Sequence, residues 1–287
     1  MRGVVPAMAT STPPIPRVIW QTYKSKDLPA PALACRKTWQ DRNPGVPCHL
    51  FDDAEIDACM ATHFDAATLS VFRSLPLGVM RADMWRYAVL YVFGGVYADI
   101  DAVCLRPIEA WLTPGASAVI GLENDTDTCQ WAFACAPRHP VVEATLRRIV
   151  RLAVAEGGVD TTFEHFVHRH TGPSIWRRGV SEALTGGAED DLSAAALLAR
   201  FGEGQPGART LGVALHPYAF FNTDNVRNLY GSQTFGDGYA RWTAQRASMA
   251  RGLVPLQSHE RPADAPPPLL TCSQEEPDAV AGIEGAA

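Results

Sequence analysis

Residues 79–105 read VMRADMWRYAVLYVFGGVYADIDAVCL, and the fold follows from how that stretch divides. Its first part, 79–93, is apolar with Arg81, Asp83 and Arg86 interspersed. Val79, Ala82, Arg86, Val89 and Leu90 fall near one stripe at helical spacing, which predicts a helix. Gly94 and Gly95 stop it, because glycine enters the left-handed region without a Cβ clash. Val96, Tyr97 and Ala98 then lead, as a buried strand, into Asp99-Ile100-Asp101. Strand side chains alternate between faces, so the two carboxylates are expected to point the same way. Like charges placed so closely repel unless a cation lies between them. Oxygen ligands of this kind suit a hard divalent ion, Mg²⁺ or Mn²⁺, shared with a phosphate.

Three readings of the acidic pair compete. It can be a strand ending in solvated acids. It fits, through Asp99-Ile100-Asp101-Ala102-Val103, the nucleophile motif of haloacid-dehalogenase-type phosphatases. It also fits the D-x-D of nucleotide-sugar glycosyltransferases. The phosphatase pattern needs a lysine after the motif, and the three lysines, Lys24, Lys26 and Lys37, all precede it.

At 287 residues the chain is long enough to bury about 75% of its unfolded surface in one domain. Its apolar content of 47% and charged content of 20% are those of a globular protein. A net charge of −6 without a basic block argues against nucleic acid as partner. Seven scattered cysteines without a C-x-x-C pair predict reduced, buried thiols. The apolar run at residues 4–9 is too short for a signal peptide, and the glycine pair breaks the uncharged run 87–98. A soluble, cytoplasmic protein with no integral membrane segment is the expectation.

Upstream, 17–20 predicts a first strand, 32–41 a helix and 48–51 a second strand, with Asp52-Asp53 placed to cap a helix reaching Thr62. This β-α-β-α order calls for a mainly parallel sheet, whose ligands sit beyond the carboxyl ends of the strands. Downstream, strands are expected at 118–122, 130–134 and 210–215. Helices are expected at 141–155, with Arg147, Arg148 and Arg151 solvated, at 162–170, and at 239–251. Residues 171–173 read as a turn, and His165, His168 and His170 as a solvated helix face rather than a zinc site. Gly236-Asp237-Gly238 reads as a turn, not a phosphate cradle. Residues 1–14 and the Pro-rich 255–287 read as disordered flanks of a domain at 15–254.

Taken together, these landmarks resemble the D-x-D sugar-binding glycosyltransferases, a family that includes yeast α-1,6-mannosyltransferases and, distantly, the glucosyltransferase domains of clostridial toxins. The matching pieces are IPRVIWQT at 15–22, RADMWRY at 81–87, GGVYADID at 94–101, Gln130-Trp131, Pro140 and Thr171-Gly172-Pro173, in family order. The resemblance implies a GT-A-type α/β fold with a mainly parallel central sheet flanked by helices. It further implies a retaining transferase that uses Mn²⁺ or Mg²⁺, a nucleotide-sugar donor (GDP-mannose or a UDP-hexose) and a glycan or other hydroxyl acceptor. Position by position, it makes Trp20 the base-stacking residue, with Gln21, Thr22, Tyr97 and Ser232 also on the donor. Asp83 and Arg86 become the sugar contacts, Asp99 a hydroxyl and metal contact, Asp101 the metal ligand, and Gln130 a neighbour of the sugar. The family's closing H-x-x-G-S-W-like segment is reduced here to NLYGSQ at 228–233, which leaves Asn228 and Ser232 for the far side of the metal. A nucleotide-sugar-binding module without turnover is the alternative.

Overall fold

A computed structural model of the chain describes residues 14–229, 244 and 246–257. The expectations for residues 1–13, 236–238 and 258–287, and for Ser232, lie outside the described residues.

The chain begins as anticipated. Strand β1 (Ile19–Thr22) is followed by α1 (Ala30–Arg42), with a proline in its first turn where a missing N–H costs nothing. After β2 (Cys48–Phe51), Asp52 caps α2 (Asp53–His63). Its carboxylate accepts from the Ala54 and Glu55 amides at 3.1 and 3.0 Å, and Glu55 accepts in return from the Asp52 amide at 2.9 Å. Helix α3 (Ala66–Ser74) follows, then α4 (Gly78–Phe93) and β3 (Gly95–Ala98).

Helix α4 departs from the amphipathic expectation. Met80 and every residue from 83 to 91 are buried, so it is a central helix covered all round. The glycine pair after it is obligatory. Gly94 has φ +65° and Gly95 φ +106°. A Cβ on Gly94 would lie 2.6 Å from the Pro137 ring, and one on Gly95 2.8 Å from the Val18 carbonyl.

The rest comprises β4 (Ala102–Cys104), β5 (Ala118–Gly121), β6 (Ala132–Cys135), α5 (Pro140–Glu156), β7 (Gly158–Asp160), α6 (Phe166–His170), α7 (Pro173–Thr185), α8 (Ala194–Phe201), β8 (Val213–His216), β9 (Val226–Asn228) and β10 (Leu253–Pro255). Several expectations are corrected here. The turn expected at 171–173 is present at Thr171 and Gly172 and ends where α7 starts at Pro173, whereas only 166–170 of the predicted 162–170 helix is helical. The late strand begins at Val213, after a 3₁₀ turn. His170 is buried between Phe166 and Glu156 rather than solvated.

Six strands form the main sheet in the order β2-β1-β3-β6-β5-β8. Only β6 runs against the others. Alternate residues feed two cores: Trp20, Tyr97 and Phe133 face α2–α5 and α7, while Ile19, Val96, Ala132 and Ala134 face Trp39, Trp111 and Phe221. The sheet is thus mainly parallel and flanked by helices, as expected. Its five parallel strands bring their carboxyl ends, together with the start of β6, to one edge. Six cysteines of the described residues are free, and all but Cys48 are buried. No helix among the described residues is long and apolar enough to cross a membrane.

Candidate active site

At that edge α4 contributes Asp83 and Arg86, one helical turn apart. The Arg86 guanidinium lies 3.0 Å from Asp83 Oδ1 and donates to Asp99 Oδ1 at 3.0 Å. It is buried, over the ring of Tyr97 with 5.0 Å to the ring centroid. The Tyr97 hydroxyl donates to the same Asp99 oxygen at 2.6 Å. Asp83 is held from its other side, where Thr171 Oγ1 donates to Oδ2 at 3.0 Å. Gln130 Nε2 lies 3.5 Å from Asp83 Oδ1, and the Gln130 carbonyl accepts from the Tyr87 hydroxyl. Tyr87 in turn stacks on Trp176 of α7 at 5.3 Å. The structure therefore brings Asp83, Arg86, Tyr97, Asp99 and Gln130 together in one hydrogen-bonded knot.

The D-x-D itself is not in a strand. Strand β3 ends at Ala98, and the Ala102 amide donates back to the Asp99 carbonyl at 3.0 Å, so Asp99-Ile100-Asp101 turns. The alternation expected to align the carboxylates does not operate in a turn. What fixes the turn is its exit: Trp39 donates to the Ala102 carbonyl at 2.8 Å, and Thr38 Oγ1 accepts from the Cys104 amide at 2.9 Å. Beyond it β4 pairs antiparallel with β9, with Ala102 opposite Asn228, and the Leu229 amide donates to the Asp101 carbonyl at 3.1 Å. Asn228 thus arrives beside the D-x-D from 126 positions beyond Ala102. Ser232 lies outside the described residues.

The electrostatics are one-sided. Burial pushes Asp101 up to about 7, helped by the neighbouring Asp99 charge. Burial likewise raises Asp83 to about 6 despite Arg86, and raises Asp99 against the pull of Arg86 and the Tyr97 hydroxyl. Burial also works against the Arg86 charge, but Asp99, Tyr97 and Asp83 outweigh it and keep it firmly protonated. A fourth acid, Glu123 just past β5, is pushed up to about 7 by burial and by Asp127, Asp99 and Asp83. One guanidinium faces four carboxyls, so the site has room for a second cation. Among the described residues no group of three His, Cys, Asp or Glu side chains is already gathered to hold one. Asp99, Asp101 and the Asn228 amide are hard oxygen donors of the right kind for Mg²⁺ or Mn²⁺.

On the β1 side of the expected donor site the side chains are buried. Trp20 is 2% exposed, donates to the Gly94 carbonyl at 2.8 Å, and is stacked on His49 and packed against Phe93. Gln21 is fully buried, with its carbonyl on Arg36 at 3.0 Å, and Thr22 donates to the Phe51 carbonyl. The physical reason is that β1 lies between β2 and β3 and is covered on both faces. Residue-by-residue reading also missed Tyr87, Thr171 and Glu123 as members of the site. Thr171 and Tyr87 lay within quoted motifs, and Glu123 was visible as an acid where a strand runs out.

The chain is similar to the initiation-specific alpha-1,6-mannosyltransferases of Candida albicans (27% identical over 49% of this chain and 44% of that protein) and Schizosaccharomyces pombe (28% over 59% and 49%). It is also similar to inositol phosphoceramide mannosyltransferase 1 of Schizosaccharomyces pombe, 31% identical over 47% of this chain and 43% of that protein. The chain spans about half the length of these relatives. The solved structure of PaToxG glycosyltransferase aligns with a TM-score of 0.49 and 15% identity over 61% of this chain and 71% of that one. Residues 29–117, which carry α4, β3 and the D-x-D turn, match the glycosyltransferase sugar-binding region containing the DXD motif.

Proposed function

We propose that residues 15–254 form one glycosyltransferase domain that moves a hexose, mannose first among candidates, from a nucleotide sugar to a hydroxyl acceptor. The observation that carries this reading is the buried Arg86 held between Asp83 and Asp99, with Asp101 and Asn228 next to it. Asp83 and Arg86 bind hydroxyls of the donor sugar and fix the ring for attack by the acceptor on the face the nucleotide leaves, with retention. Gln130 sits behind Asp83 and tunes its direction. Asp101, Asp99 and Asn228 would hold Mn²⁺ or Mg²⁺, which when bound neutralises charge on a departing diphosphate. Tyr97 keeps Asp99 oriented. Trp20, Gln21 and Thr22 shape the core beneath the site instead of touching the donor. No side chain is assigned as a covalent nucleophile.

The test is a panel of GDP-mannose, UDP-glucose and UDP-galactose, with nucleotide release followed with and without Mn²⁺. Mn²⁺-dependent release from one of them is expected. The departure of NLYGSQ from the family's closing segment favours a second reading, a nucleotide-sugar-binding module. Donor binding by calorimetry without release from any donor selects it.

A further inference from the structure

Four parts of the chain meet at one phenol. Tyr87 follows Asp83 by four residues on α4, so both side chains leave the same face of the helix. Its ring is fully buried, stacked on Trp176 and tilted against Phe133 with 6.1 Å between centroids. Its hydroxyl donates to the Gln130 side-chain carbonyl and lies 3.2 Å from the Thr171 carbonyl. Burial, reinforced by the Asp83 charge, pushes the phenol well up, so the hydroxyl keeps its proton. The two residues it meets are the ones that hold Asp83: Gln130 Nε2 lies 3.5 Å from Oδ1, and Thr171 Oγ1 donates to Oδ2 at 3.0 Å.

We infer that Tyr87 is a positioning residue: its hydroxyl fixes the Gln130 amide, and through it the direction of the Asp83 carboxylate that receives the donor sugar. The inference rests on the glycosyltransferase reading above. A glutamine amide has an oxygen end that accepts and a nitrogen end that donates. With the hydroxyl in place, the oxygen takes its proton and the nitrogen is turned toward Asp83 Oδ1. Tyr87 is the donor that the structure gives this buried oxygen. Without it, Gln130 must either leave the oxygen unpaired or shift to find another donor, and a shift loosens its hold on Asp83. Thr171 steadies the other carboxylate oxygen, so the loss is felt at the Gln130 side.

Tyr87→Phe keeps the ring in its stack and removes the hydroxyl, while Gln130→Met keeps the length of the side chain and removes the amide. The two variants, their double and the wild type are compared at a temperature where urea titration shows all four folded. The readout is kcat/KM for the nucleotide sugar that the wild type turns over, or its Kd by calorimetry if the wild type binds without release. Each single variant is expected to lose about ten-fold, and the double no more than about two-fold beyond Gln130→Met, because the hydroxyl acts through the amide. The loss is also expected to fall on the nucleotide sugar more than on the free nucleoside diphosphate, titrated as an inhibitor or ligand. Wild-type behaviour of either single variant overturns the inference. So does a further ten-fold loss on top of Gln130→Met, or an equal loss of nucleotide sugar and free nucleotide, which is what packing alone would give. Each of these leaves the parent reading standing. A wild-type protein that neither binds nor turns over any nucleotide sugar fails the parent reading, and this inference with it.

Discussion

Charge is concentrated both along α5 and α7 and at the carboxyl edge of the sheet, and the surroundings act on it in opposite directions. Between the helices, Arg148 and Arg151 meet Glu182, Arg148 also meets Asp190, and Arg177 and Arg178 meet Asp191. Hydrogen bonds from arginine hold Asp190 and Asp191 below the ordinary carboxylate range. At the sheet edge burial drives Asp83, Asp101 and Glu123 up to between about 6 and about 7. The first region is matched, wet and structural. The second is undersupplied with cations and dry, which is what a site waiting for a charged ligand looks like. On the solvated side of α5, where they were expected, Arg147, Arg148 and Arg151 also tie the helix to its own first turn and to its neighbour.

The comparison breaks first at Asp101. Asp101→Asn should lower nucleotide release by at least about a hundred-fold while unfolding at or above the wild-type temperature, because it removes a buried charge from the ligand side of the cleft and no ion pair from the fold. Near-normal release from this variant would strip Asp101 of its role. Replacing Asp190 and Asp191 together by Asn should leave release unchanged.

Stability separates the regions next. Arg86→Ala leaves Asp83 and Asp99 buried without a counter-charge, and urea titration should register a loss of about 3–5 kcal/mol. Arg151→Ala, at an exposed pair, should cost less than about 1 kcal/mol. Equal losses would mean that the two regions are energetically alike. At a temperature where Arg86→Ala remains folded, it should lose discrimination among donor sugars more than affinity for free nucleotide.

A smaller effect is expected at Thr171. Thr171→Val removes the donor to Asp83 Oδ2 at constant shape. A fall of about ten-fold in kcat/KM for the donor, restored by Thr171→Ser, is expected, and a loss that serine fails to restore would make the role one of packing.

The gentlest contrast is in pH. Asp101 has a folded pKa of about 7 against an ordinary 3.8, so the folded protein binds the extra proton and its stability falls as pH rises from about 4 to about 7. Asp190 and Asp191 have depressed values, so their contribution is present above the ordinary carboxylate pKa and disappears as pH falls below it. Urea midpoints of the metal-free protein should therefore show a flatter decline between pH 4 and 7 in Asp101→Asn. A wild-type slope of the opposite sign would contradict the assignment of burial as the dominant force.

The central β-α-β frame was legible because its signals are local. The Gly94-Gly95 stop, the Asp52 cap and the apolar strand runs each act within a few residues. The stripe assigned to α4 misled, since a helix packed on every side has no solvated face to set a period. Asp99 and Asp101 were found, but their geometry was not, because Trp39, Thr38 and β9 decide where the strand gives way to a turn. The burial of Trp20 was not legible either, because it follows from the order of strands that places β1 inside the sheet. Thr171 and Glu123 depend on where the α6–α7 junction and the end of β5 come to lie, over separations of 88 and 24 residues from Asp83 and Asp99 respectively. No local pattern carries that information.

The account stands or falls on where the second cation and the diphosphate lodge. Crystals soaked with Mn²⁺ and the nucleotide sugar that the protein turns over, with data collected at the manganese edge, locate both directly. An anomalous peak against Asp101 with the diphosphate across it, and the sugar on Asp83 and Arg86, is the expected result. Manganese and phosphates bound away from the Asp99–Asp101 turn would contradict it.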